Sequence, residues 1–212
     1  MKKKSSSSWQ SGASNMEETK KPVIGILSLQ GAFLEHETML RSLGAEMVEI
    51  RNRNNLASFD GLILPGGEST TMRKLLKEED LYNPLKEQIE KGLPTLATCA
   101  GMILLARKLS NDENPCFGTL PVTVKRNAYG RQLGSFITRA EIRGIGPFRM
   151  NFIRAPYVTA ADPSVDILSK VEGRIVAVRY KNQTALAFHP ELGTDTRIHE
   201  KFLEQCRKWK KK

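Results

Sequence analysis

Hydrophobic positions in this chain fall into two regimes. In the first half, short apolar runs alternate with amphipathic stretches. Val23-Ile24-Gly25-Ile26-Leu27-Ser28-Leu29 is apolar on both alternating faces, the pattern of a strand covered on two sides. A helical stretch over residues 35–43 follows and stops at Gly44, a residue suited to ending a helix. Residues 46–50 and 61–64 predict a second and a third strand, the latter broken by Pro65-Gly66-Gly67. Residues 69–77 and 85–91 predict helices, and residues 94–98 a fourth strand. That strand feeds a sharp turn at Cys99 and a helix through residue 108. Strands alternating with helices predict a mostly parallel sheet with helices on both faces.

The second half reads differently. Residues 122–125, 135–139, 152–155, 174–179 and 184–188 are short strand candidates with few helices between them. They predict an antiparallel extension of the sheet, closed by an amphipathic helix over residues 198–208. The class expected is α/β, with one domain over residues 21–212 that ends in a basic tail. Residues 1–20 are polar, basic and then serine-rich, without periodicity. They are expected to be a disordered extension or a tag.

Composition narrows the function. The chain has 212 residues, 40% hydrophobic and 26% charged, ordinary for a soluble globule. No apolar run approaches the ~18 residues that span a membrane, and the start has no apolar core of a secretory signal. Three widely spaced cysteines do not make a disulfide framework; a reducing cytoplasm is the expected compartment. The net charge of +10 suggests nucleic acid until it is located. Residues 1–21 carry +3 and residues 207–212 carry +5, leaving +2 for the body between them. Charge confined to tails does not make a basic binding face, so neither nucleic acid nor membrane is an expected partner.

The candidate chemistry centres on Leu96-Ala97-Thr98-Cys99-Ala100-Gly101-Met102. A cysteine on a tight strand-to-helix turn presents its sulfur to a cleft, and the helix N-terminus favours the thiolate. The small neighbours Ala97, Ala100 and Gly101 permit such a turn. Phe188-His189-Pro190-Glu191 supplies a histidine and a carboxylate two residues apart, on one face of an extended segment. Cysteine, histidine and acid are the parts of a thiol acyl-transfer site. Gly66 and Gly67 allow close backbone approach, so that N–H groups can face a developing oxyanion, and Glu68-Ser69-Thr70 suits a helix N-cap. Cys116 and Cys206 lack such surroundings and are expected to be structural. His36 and His199 fall on predicted helices and are expected to be solvated or structural. No cluster has metal-ligand spacing, and no phosphate-binding glycine motif occurs.

Five blocks together carry a family resemblance. They are Gly61-Leu62-Ile63-Leu64-Pro65-Gly66-Gly67-Glu68-Ser69-Thr70-Thr71, Thr98-Cys99-Ala100-Gly101, Arg126-Asn127-Ala128-Tyr129-Gly130-Arg131-Gln132, Phe152-Ile153-Arg154-Ala155-Pro156 and Phe188-His189-Pro190-Glu191-Leu192. With Leu29-Gln30-Gly31, they resemble the glutaminase subunits of pyridoxal 5′-phosphate synthase, within the class I glutamine amidotransferases, from about residue 23 to residue 202. The resemblance implies a flavodoxin-like three-layer sandwich and a triad of Cys99, His189 and Glu191. It implies glutamine contacts at Gly67, Glu68, Ser69, Arg126, Ile153 and Arg154, oxyanion donors near Gly66, Gly67 and Ala100, and no cofactor or metal. The implied substrate is L-glutamine. The implied partner is the TIM-barrel synthase subunit that receives the ammonia. Gln30 is expected beside the Gly66-Gly67 turn, where it would sense that partner. Ala97 stands where the family carries glycine, and alanine tolerates positive φ poorly, so a slightly altered turn is expected there. Two other readings stay open on the sequence: a glutaminase serving another pathway, and a non-catalytic docking subunit that retains the fold.

Overall fold

The structure, a computed structural model, describes residues 21–56, 58–110, 112–127 and 134–210. The extension over residues 1–20 and residues 128–132 of the arginine-rich block lie outside the described residues. The first half runs Val23–Leu27 (β1), Phe33–Ser42 (α1), Glu46–Ile50 (β2), Gly61–Leu64 (β3), Ser69–Glu78 (α2), Tyr82–Glu90 (α3), Thr95–Thr98 (β4), Ala100–Leu105 (α4) and Ala106–Leu109 (β5). The second half runs Leu120–Lys125 (β6), Ser135–Ile142 (β7), Gly146–Ile153 (β8), Tyr157–Ala161 (β9), Asp166–Val171 (β10), Arg174–Tyr180 (β11), Gln183–Leu186 (β12) and Arg197–Lys210 (α5).

Among the described residues the main sheet has ten strands in the order β2-β1-β3-β4-β12-β11-β9-β6-β5, with β10 beside β11. From β2 to β12 every pairing is parallel, which is the doubly wound flavodoxin-like order. Beyond β12 the β11, β10 and β9 pairings are antiparallel, the expected extension. β7 and β8, which cover two of the strands expected in that extension, pair instead as a separate two-stranded sheet. All residues of β3 and β4 are buried, because layers cover both faces. Side-chain parity along β3 assigns those layers. Gly61 faces Phe202 and Cys206 of α5, whereas Leu64, of opposite parity, faces Gly101 of α4. α1 touches α5 through His36 and His199, and α2 packs on α4. The two helix pairs therefore lie on opposite faces, making three layers.

The helix expected through residue 108 ends at Leu105. The Phe117 N–H captures the Leu104 carbonyl, and Ala106 turns extended at φ −56° and ψ 136°. Ala106-Arg107-Lys108-Leu109 then pairs parallel with β6. Its residues are good helix formers, so pairing overrides propensity here. β9 and β10 were not expected from the sequence. The strand expected over residues 152–155 instead begins at Gly146 and ends at Ile153.

Gly101 is the closest approach between α4 and the sheet. A Cβ there would lie 2.1 Å from the Leu64 carbonyl oxygen. Alanine in place of glycine usually stabilises a helix by about 0.5–1 kcal/mol, but overpacking against backbone costs about 1–3 kcal/mol. Gly101→Ala is therefore expected to lower the unfolding midpoint, measured by thermal or denaturant titration. A raised midpoint would show that α4 can move off β3.

Candidate active site

Parallel pairing ends four strands on one sheet edge. The turns after β1, β3, β4 and β12 all emerge there, carrying Gln30, Gly66 and Gly67, Cys99, and His189 in that order. In doubly wound folds this carboxyl edge is where ligands bind.

Cys99 sits at the head of α4 with φ +46° and ψ −100°, a conformation that side chains rarely adopt. Two contacts hold it. Its N–H donates to the Leu186 carbonyl at 2.8 Å, fixing it to β12, and Gly101 lets the helix turn directly against β3. The strain falls on Cys99 itself and not on Ala97. Ala97 is an ordinary β4 residue, paired with Leu64 and Ala185 and absent from the positive-φ positions, so the altered turn expected from its alanine is not found. The sulfur is less open than expected: Cys99 is 7% exposed. Its Sγ lies 3.8 Å from the Ile153 carbonyl oxygen, at the end of β8. Arg154 beside it has φ +44°, and its N–H donates to the Gly134 carbonyl.

His189 and Glu191 are both 5% exposed. His189 Nδ1 lies 2.7 Å from Glu191 Oε1, and a turn at Pro190–Leu192 brings the carboxylate back under the ring. The His189 N–H donates to the Asn151 carbonyl at 2.8 Å, tying the segment to β8. Burial opposes a charged His189, but hydrogen bonding and attraction from Cys99 and Glu191 prevail and push its pKa up to about 10. For Glu191, burial favours the neutral form. The nearby His36 and the His189 hydrogen bond outweigh it and hold the carboxyl below its usual range. The raised His189 pKa favours the protonated ring beside Cys99 and Glu191.

The glycine turn closes over this ring. A Cβ on Gly66 would lie 2.2 Å from His189 Cε1, so no other residue fits there. The Gly66 carbonyl accepts the Ala32 N–H at 3.0 Å, which turns the Gly67 N–H of the same trans peptide the opposite way. Gln30 Oε1 accepts the Glu68 N–H at 2.7 Å, so Gln30 does lie beside that turn. Glu68 caps α2, with Ser69 buried behind it. Arg126 reaches the same corner: its guanidinium donates to Asp112 at 2.7 Å, to the Thr70 hydroxyl at 2.9 Å and to Glu68 at 3.3 Å.

The other two cysteines, Cys116 and Cys206, are buried. Burial pushes the Cys116 thiol up to about 11 and raises Cys206 as well, so both stay protonated and inert. His36 and His199 are fully buried, which excludes the solvated reading. Their spacing carried that signal: His36, Met39 and Leu40 share one helical stripe, as do His199, Phe202, Leu203 and Cys206. Among the described residues no group is arranged to hold a metal ion. A cavity of about 590 Å³ between α5 and β10–β11 contains none of the predicted site residues.

Comparison with known proteins places the chain in a family. The model of the SNO glutamine amidotransferase family matches residues 26–208. The chain belongs to that family. Among its relatives is "Pyridoxal 5'-phosphate synthase subunit PdxT" of Desulfitobacterium hafniense (strain Y51), 58% identical over 182 residues, 85% of this chain and 92% of that protein. The protein of the same name from Streptococcus pneumoniae (strain CGSP14) is 48% identical over 87% of this chain and 97% of its own. A solved glutamine amidotransferase, 40% identical, superposes with a TM-score of 0.82 over 86% of this chain and 98% of that one. A further glutamine amidotransferase of known structure, from Thermotoga maritima, shares the fold at 16% identity and a TM-score of 0.58, over 89% of this chain and 96% of that one. This SNO family member contains no helix among its described residues that is long and apolar enough to cross a membrane.

Glu191→Gln removes the charge that favours the imidazolium. It is expected to lower the His189 pKa from about 10 by about one to three units, read by NMR titration of the imidazole protons. An unchanged titration would show that Cys99 alone holds the proton.

Proposed function

We propose that this chain hydrolyses L-glutamine to L-glutamate and ammonia, and delivers the ammonia to the synthase subunit of pyridoxal 5′-phosphate synthase. The observation that carries the reading is the pairing of a positive-φ cysteine elbow with a buried His189–Glu191 pair at 2.7 Å on the same sheet edge. The names of the PdxT relatives support the pathway. The glutaminase domain spans residues 21–212, works in the cytoplasm, and docks on a partner that the family resemblance makes a TIM barrel.

The Cys99 thiolate attacks the carboxamide carbon and a C–S bond forms as the C=O electrons move to oxygen. The candidate donors to that oxyanion are the Gly67 and Ala100 N–H groups: the first belongs to the peptide whose carbonyl holds the Ala32 N–H, and the second lies in the first turn of α4, where N–H groups have no partner within the helix. The His189 imidazolium gives its proton to the departing nitrogen, the C–N bond breaks, and ammonia leaves a thioester. Neutral His189 then takes a proton from water as it attacks, and glutamate departs from regenerated thiolate. Glu191 orients the ring and stabilises its charged form. The substrate's α-carboxylate and amine meet Glu68, Ser69, Arg126 and the backbone of Gly67, Ile153 and Arg154. Gln30 couples partner docking to the Gly66-Gly67 peptide through its bond to the Glu68 N–H.

Glutamate release in the presence of the synthase subunit tests the reading. Cys99→Ala is expected to abolish turnover while the fold persists; turnover near wild type would refute the assignment. Cys116→Ala and Cys206→Ala are expected to retain activity, and loss in a folded variant would reveal a second thiol role.

Arg126→Ala is expected to raise KM for glutamine with little change in kcat, because a guanidinium suits a carboxylate. An unchanged KM would make Arg126 a purely structural link between Asp112 and Thr70.

A further inference from the structure

The mechanism above leaves two buried histidines unused. His36 Nδ1 lies 3.0 Å from His199 Nε2. His36 Nε2 lies 3.1 Å from Thr98 Oγ1 and 3.4 Å from Glu191 Oε2. Thr98 directly precedes Cys99. Glu191 gives Oε1 to His189, while its buried Oε2 has no well-formed hydrogen bond, and neither has His199 Nδ1.

These contacts determine which nitrogens carry protons. Two facing imidazole nitrogens share one hydrogen, so one ring donates and the other accepts. A buried N–H without a partner is rarer than an unpaired acceptor, so His199 carries its proton on Nε2 and donates to His36 Nδ1. His36 then carries its proton on Nε2, facing the Thr98 hydroxyl and the Glu191 carboxylate. The opposite arrangement would aim a lone pair at a buried anion. We propose that His36, its tautomer set by His199, is a positioning residue that holds Glu191 Oε2 so that Oε1 stays on His189 Nδ1. The proposal rests on the triad reading given above.

Burial lowers the His36 pKa, against attraction from Glu191 and Glu35, and pushes His199 down to about 3. The groups facing Glu191 are His189 from its own segment, His36 from α1, and His199 behind it from α5; Cys99 acts through His189. Removing His36 takes away the ring nitrogen 3.4 Å from Oε2 and leaves Glu191 with the His189 ring and its own backbone N–H. Burial then favours the protonated carboxyl, and Glu191 takes up a proton at higher pH than before. The acid limb of the kcat/KM profile must therefore move upward.

The test compares His36→Leu, His36→Gln and His199→Leu with wild type and Cys99→Ala, as glutamate release with the synthase subunit present. His36→Leu is expected to lower kcat by about 10–100-fold, the scale seen when the orienting partner of a metal-bound histidine is lost. KM stays near wild type and the acid limb moves up by about one unit. His36→Gln, whose amide N–H can reach the carboxylate, is expected to recover most of the rate and the original profile. His199→Leu gives an intermediate loss with the same direction of shift. A wild-type rate and profile in folded His36→Leu would overturn the proposal, as would equal losses without a profile shift in both His36 variants. If His36→Leu fails to fold, the other two decide: a wild-type profile in His199→Leu, or an inactive folded His36→Gln, overturns it. Cys99→Ala separates the levels, because turnover there refutes the triad itself, whatever His36 does.

Discussion

The site exists because β1, β3, β4 and β12 pair in parallel and in register. Ile26 stands beside Ile63, Leu64 beside Ala97, and Thr98 beside Leu186. Chain segments far apart in sequence therefore end on one edge within a few ångströms, and each turn inherits its place from the ladder. A one-residue slip would reverse the side-chain faces of a strand and move its turn along the edge. Full burial of β3 and β4 on both faces makes such a slip expensive, since every residue of both strands is packed against a covering layer. Precision at Cys99 is thus obtained from the sheet, and the loops need only be short.

The second constraint is a buried charge. An unpaired carboxylate taken out of water costs several kcal/mol even after the protein relaxes. Glu191 lies in the layer between the sheet edge and α1, and it is stabilised from two sides by imidazoles. That arrangement makes His189 and Glu191 one electrostatic unit: a proton on His189 is held by Glu191 on one side and Cys99 on the other. The backbone accepts strain for the same purpose. A positive φ at a non-glycine residue persists only where its surroundings over-determine it, and at Cys99 the Leu186 hydrogen bond and the α4–β3 contact do so.

Much of this was legible in the sequence where one physical signal dominates. Unbroken apolar runs located β1 and β3, since strands covered on both faces need them, whereas β4 was located by the turn that follows it. Small residues around Cys99 marked the elbow, and the two-residue spacing of His189 and Glu191 placed both groups together. The failures have identifiable causes. Ala106–Leu109 has helix-forming residues and becomes a strand only through β6, which is not a local property. β9 and β10 are half exposed with irregular patterns, so alternation is too weak to read. Ala97 departs from the family's glycine, whereas the strain lies two residues later, at Cys99. His36 and His199 were read by residue type, although their helical stripes point inward. Arg126 matched a substrate contact, but its links to Asp112, Thr70 and Glu68 depend on folding that no local pattern encodes.

The two halves of the site differ in how easily they exchange partners. Glu191, His189 and His36 are shut away from water, so breaking any contact there leaves an uncompensated polar group at high cost. Arg126 and Glu68 meet where water reaches, with the Glu68 side chain half exposed, and such ion pairs contribute only about 0–1 kcal/mol. A ligand carboxylate at Arg126 therefore displaces a weak contact and gains a hydrogen-bonded charge pair of the same kind. Under the proposed function, the exchangeable corner takes and releases a ligand without disturbing the buried charge pair, and the buried half holds its proton whatever occupies the corner. Separation of these tasks by burial explains why the polar groups at this edge are split between a closed interior and an open rim.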